Sequence, residues 1–101
     1  MAQILRRYEL GRDGTHLVEM PRRARIITVA FENRRPCIHA LIEETADTKA
    51  FDRPHQRQFA VLTAGSVAPD GAGYIGSCFD PPRSAYRGET YHVFEMRSGR
   101  G

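Results

Sequence analysis

Arginine carries most of the chemical potential of this chain: fourteen Arg stand against a single lysine, Lys49, among 101 residues. A guanidinium is a planar fork of N–H donors that matches phosphate and carboxylate, so arginines beside aromatic rings can form an anion site. The richest grouping is Arg34 and Arg35 with Arg53, His55 and Arg57. These converge if the strands on either side of the long intervening loop form a hairpin. A second grouping is Arg83, Tyr86 and Arg87, in which the ring could stack on a base while the guanidiniums hold phosphate. The alternative for both is a set of solvated turn arginines pairing with Glu32, Glu43, Asp52 and Asp80. Codon usage in a GC-rich genome would produce the same Arg-for-Lys bias.

Cysteine and histidine supply the other reactive groups. Cys37 and His39 share one strand face, and Cys78 or His92 could join from neighbouring strands. A metal site needs three or four converging ligands, and the paired spacing typical of such sites is missing. A cysteine nucleophile with His39 or His92 as base would need partners that meet only in space. The sequence has no nucleophile elbow, phosphate-cradling glycine loop or HExxH motif. Gly71-Ala72-Gly73 opens a strand rather than a helix, so it is a turn and not a phosphate loop. The expectation is a non-enzymatic protein with no catalytic residues, no metal and no cofactor. Its two cysteines are expected to be reduced and buried.

The elements that must position these groups are strands. Seven short segments alternate apolar and polar residues, divided by clusters of Gly, Pro, Asp, Asn and Arg. Ile4 to Leu10 ends at Gly11-Arg12-Asp13-Gly14, and Asp-Gly is a common hairpin pair, so Thr15 to Met20 is expected to return antiparallel to it. Pro21 stops that ladder. Arg25 to Phe31 is the most apolar segment and is expected to be central, with Ile27, Val29 and Phe31 on one face and Ile26, Thr28 and Ala30 on the other. Pro36 to Glu44 places Ile38, Ala40 and Ile42 on one face and Cys37, His39 and Leu41 on the other. Thr45 to His55 suits an exposed loop. Arg57 to Ala64, Gly73 to Phe79 and Thr90 to Met96 complete the set, and residues 97–101 form a frayed tail. One all-β domain over residues 1–101, an antiparallel β-sandwich or small barrel of about seven strands, accommodates this spacing.

A net charge of +3 and a pI near 9.2 permit an anionic partner without requiring one. Duplex nucleic acid would demand a larger basic excess and a continuous stripe. A single-strand binder needs aromatics on exposed sheet faces, and Tyr8, Tyr74 and Tyr91 are candidates. No apolar run approaches the length of a membrane span, and Arg6 and Arg7 interrupt any signal-like core. The expected location is the cytoplasm.

Several of these segments together resemble a family of short proteins encoded by tailed phages and prophages. The resemblance rests on Tyr8-Glu9-Leu10, the turn Glu19-Met20-Pro21, the strand Ala24-Arg25-Ile26-Ile27-Thr28-Val29 and the strand Cys37-Ile38-His39-Ala40-Leu41-Ile42. It continues through Arg57-Gln58-Phe59, Tyr74-Ile75-Gly76 and the terminal His92-Val93-Phe94-Glu95. His39 stands where an aromatic ring is usual, which suits a packing or contact role. Thr63-Ala64-Gly65-Ser66 replaces a Thr-Gly-His-Pro-like loop, so no role for a loop histidine carries over. The resemblance implies a phage origin and an all-β fold, and it supplies no reaction. The expected function is binding as a symmetric homo-oligomer. The ligand would be a phosphorylated small molecule or nucleotide signal, held at a subunit boundary in a counter-defence role. The alternatives are an inhibitor of a host protein, a phage structural or accessory module, and a single-stranded nucleic-acid binder. Arginines lining a pocket would favour the nucleotide; a flat apolar patch rimmed by charge would favour a protein.

Overall fold

Seven antiparallel strands build two sheets in the computed structural model, which describes residues 2–44 and 54–96. In chain order they are β1 (Ala2–Glu9), β2 (Gly14–Pro21), β3 (Arg25–Glu32), β4 (Arg35–Glu44), β5 (Pro54–Leu62), β6 (Gly73–Asp80) and β7 (Glu89–Glu95). One sheet has the order β1-β4-β3 and the other β2-β5-β7-β6. No helix occurs among the described residues. Most of the loop expected over Thr45 to His55 and the tail 97–101 lie outside them, while His55 itself belongs to β5.

Local turn chemistry explains the tightest connection. β3 and β4 are joined by Asn33 and Arg34, both with positive φ (55° and 63°), and Glu32 pairs with Arg35 across them. This is the backbone of a type I′ hairpin, whose twist matches the flanking strands. Asn33 donates from Nδ2 to Glu9 Oε2 at 2.8 Å, and Arg12 donates from Nε to the Arg34 carbonyl at 2.8 Å, which fixes the turn against the β1–β2 connection.

Three expectations about pairing are corrected. β1 and β2 do not form a hairpin: β1 pairs with β4 and β2 with β5, so the Asp13-Gly14 turn carries the chain from one sheet to the other. β4 and β5 likewise lie in different sheets. β3 is an edge strand, and β4 occupies the centre of its sheet. β3 is covered on one side only, at the corner it makes with β6, while Ile27 and Thr28 stay exposed. There Gly76 lies so close to Val29 that a Cβ would sit 2.8 Å from Val29 Cγ2. The expected alternation along β3 is also broken by a bulge between Ile26 and Thr28, which leaves Ile27 half-exposed and turns Val29 into the core.

Along most of the other strands a period of two puts every second side chain into the space between the sheets, although Pro36 to Ile38 and Phe59 to Val61 are buried without a break. Ile38, Ala40 and Ile42 of β4 meet Phe59 and Val61 of β5 and Tyr91 and Val93 of β7 in one core. Each large apolar side chain buried there contributes about 1.5–3 kcal/mol. Phe31 and Tyr91 stack across the sheets with ring centroids 5.7 Å apart and planes 4° from parallel. Cys37 and Cys78 are buried and free, and burial raises both thiols, Cys78 to about 11. Among the described residues no helix is long and apolar enough to cross a membrane.

Candidate functional site

The first arginine grouping is dispersed by the topology. Arg57, in β5, is held by Glu95 through Nε to Oε2 at 2.6 Å and Nη2 to Oε1 at 2.8 Å, while Nη1 donates to the Ala24 carbonyl at 2.7 Å. The bond to Glu95 is the main reason that the Arg57 pKa is raised. Its guanidinium joins β5, β7 and the entry to β3. Arg35 begins β4 opposite Glu32, at the far end of the same eight-residue β3. At about 3.3 Å per residue the two positions stand roughly 25 Å apart. Arg34 occupies the left-handed turn and is exposed, and His55 pairs with Met20 in the other sheet. Arg53 lies outside the described residues.

The second grouping is brought together, but its groups engage one another. Arg83 and Tyr86 exchange backbone hydrogen bonds at 2.9 and 2.7 Å around Ser84, whose φ is 51°. The Arg83 guanidinium stacks 4.8 Å from the Tyr86 ring centroid and donates to Asp80 Oδ1 at 2.7 Å. Asp80 is only 1% exposed, and its Oδ2 has no hydrogen-bond partner. The Arg83 bond holds this carboxyl below its ordinary range. Desolvation first, and then the facing Asp80, push the Tyr86 phenol up to about 12. One face of the ring is therefore stacked on its own arginine. Arg87 is exposed beyond the turn.

The histidines and tyrosines separate as well. His39 lies 2.8 Å from Glu32 on the three-stranded sheet, whereas His92 takes part in a chain on the other, with Nδ1 2.7 Å from Ser77 Oγ and that hydroxyl 2.7 Å from Tyr74. Among the described residues no three His, Cys, Asp or Glu side chains converge into a metal site. Tyr74 is 61% exposed, but Tyr91 is in the core and the Tyr8 hydroxyl is shielded without a partner, so these three rings do not share an exposed face.

The outer face of the three-stranded sheet assembles a different set. Its register forms rows: Gln3 beside Glu43, then Leu5, Leu41 and Arg25, then Arg7, His39 and Thr28. Two shallow clefts open there. One, of about 250 Å³, is lined by Gln3, Arg23, Arg25, Leu41 and Glu43; the other, of about 370 Å³, by Leu5, Arg6, Arg7, Glu32 and His39. Glu32 is held below its ordinary range first by the His39 hydrogen bond, with Arg7 at 3.8 Å adding to it. Arg23 and Arg25 are exposed and have no partner among the described residues. The sequence signal for this pair is the i, i+2 spacing at the mouth of a strand.

The chain belongs to the family described as a domain of unknown function (DUF7352), whose model matches residues 1–100. No curated protein and no solved structure matches it.

Proposed function

We propose that this protein binds an anionic small molecule without transforming it, and that its site is the cleft between Arg23 and Arg25 on the outer face of the three-stranded sheet. The observation that carries this reading is two guanidiniums with no partner among the described residues, flanking one cleft. A phosphate group suits that fork of donors. Glu43 and Gln3 line the same cleft and can take hydrogen bonds from hydroxyls, while Leu41 supplies an apolar floor. A phosphorylated nucleoside or sugar presents this combination. The likeness of the strand motifs to small tailed-phage proteins supports a phage-encoded protein acting in the host cytoplasm. Binding without turnover would there withdraw a signal from host defence.

Titration calorimetry with inorganic phosphate and a panel of nucleoside mono- and diphosphates tests the proposal. Binding should weaken about tenfold or more in Arg23→Ala/Arg25→Ala and in raised salt, with the fold unchanged. No binding by the parent chain, or equal binding by the double variant, would overturn it.

A protein ligand is favoured by a separate observation on the same face, the 57% exposure of Leu5 and the 51% exposure of Ile27. A host factor covering them would be displaced by Leu5→Arg and would be indifferent to nucleotides.

A further inference from the structure

Unpaired sheet edges present rows of free N–H and C=O groups, and proteins blunt them with charge, proline or a covering element. Four strands here have an outer edge: β1, β3, β2 and β6. Those of β3 and β6 meet at the Val29–Gly76 corner. β1 is protected by its own side chains, because Arg6 and Arg7 stand near its middle and an antiparallel self-pairing that uses most of the strand gathers two arginines from each copy around the axis.

β2 has no such protection. Between Gly14 and Met20 its sole carboxylate is Glu19, no basic side chain other than His16 occurs, and Leu17 is 63% exposed. The His16 ring is turned back into its own loop, where Nε2 donates to the Asp13 carbonyl at 2.7 Å. No described strand pairs with the outer edge of β2.

We propose that this edge receives the β2 strand of a second copy, antiparallel about a two-fold axis through Leu17. Residues facing one another across an antiparallel pair must project from the same face, which restricts the registers to those that pair like parity. With Leu17 on the axis it meets Leu17 of the other copy, Thr15 faces Glu19, His16 faces Val18 and Gly14 faces Met20. No like charges oppose, the exposed leucine is covered by its symmetry mate, and Pro21 falls just outside the ladder. Moving the axis to Val18 would instead set Pro21 opposite Thr15 and leave Leu17 against Glu19. The result is one continuous sheet, β6-β7-β5-β2-β2-β5-β7-β6. The isologous contact is independent of the anion cleft, since Arg23 and Arg25 take no part in it.

Sedimentation velocity over a dilution series of the full chain tests the contact. The parent chain should show a dimer. Leu17→Glu and Leu17→Lys should each weaken association about tenfold or more with unchanged circular dichroism, because like charges then meet at the axis. An equimolar mixture of the two should recover the dimer, since opposite charges face each other there. Thr15→Lys, placed opposite Glu19, should tighten it. A parent chain that stays monomeric at high micromolar concentration would overturn the proposal. So would a dimer that survives both Leu17 variants, or one not recovered on mixing.

Discussion

Arg57 and Glu95 meet diagonally across β5 and β7, Arg57 standing two residues along β5 from Phe59, the register partner of Glu95, and their two parallel hydrogen bonds form a bidentate fork. A third N–H of the same guanidinium reaches the Ala24 carbonyl, so one side chain ties the four-stranded sheet to the segment that enters β3. Arg57→Ala should therefore lower stability by about 2 kcal/mol through lost charge-assisted bonds. Arg57→Lys should recover only part of that, because an ammonium cannot reproduce the fork. Urea unfolding of both variants with Glu95→Ala, arranged as a double-mutant cycle, measures the coupling. Additive losses would show that the pair contributes nothing jointly.

Gly76 packs where β6 crosses β3, and a methyl group there would lie 2.8 Å from Val29 Cγ2 and 3.1 Å from its Cβ. Valine is stiff at χ1 and cannot swing aside. Gly76→Ala should cost about 1–3 kcal/mol as overpacking, and Val29→Ala in the same chain should return part of it. Chemical denaturation of the two single variants and the double variant checks the compensation.

Arg34 holds a φ of 63° at the second position of a two-residue hairpin turn, where glycine is preferred. Its contact with Arg12 uses its carbonyl and not its side chain. Arg34→Gly should keep that bond and raise stability by about 0.5–1 kcal/mol. A lower melting temperature would mean that the guanidinium has a stabilising role.

Glu32 and Asp80 are both held below their ordinary range, Glu32 first by His39 and Asp80 first by Arg83. Such a carboxylate binds protons more weakly folded than unfolded. Its stabilising contribution is complete above the unfolded pKa of about 4 and is lost as pH falls through the folded value. The thermal midpoint should drop below about pH 4, and less steeply in Asp80→Asn than in the parent chain.

Burial raises the Cys78 thiol to about 11 and raises Cys37 as well. Near pH 8 only about one Cys78 in a thousand is thiolate, so native labelling should be very slow. Both thiols should react promptly in denaturant. Fast native labelling of either would show that the core opens locally.

Strand identity was legible wherever alternation ran unbroken, as in Ile38, Ala40 and Ile42 of β4 or Tyr91 and Val93 of β7, because burial on one face imposes a period of two. Pairing was not. The Asp13-Gly14 signal is local, and whether the chain folds back or passes to the other sheet depends on where β4 and β5 lie. The bulge at Ile27 took that residue off the face it was expected to share with Val29 and Phe31 and put Ile26 there instead, and nothing in the run Ile26-Ile27-Thr28 announces it. The arginines were harder still. Arg57 and Glu95 find each other through tertiary structure, and Arg83 is occupied by a neighbour three positions earlier. Composition could not separate guanidiniums that hold the fold from the pair at Arg23 and Arg25 that the fold leaves exposed.

The crossing of the chain between sheets at Asp13-Gly14 also sets an order on folding during synthesis. Adjacent strands pair directly at β3–β4 and β6–β7, so these hairpins can form as soon as they emerge. β1 and β2 must wait for partners far along the chain, Glu44 for Ala2 and Val61 for Gly14. Long-range pairing of this kind is slow, because the entropy of closing the loop is lost before the contacts form. Until β5 leaves the ribosome, β2 has neither of its edges covered.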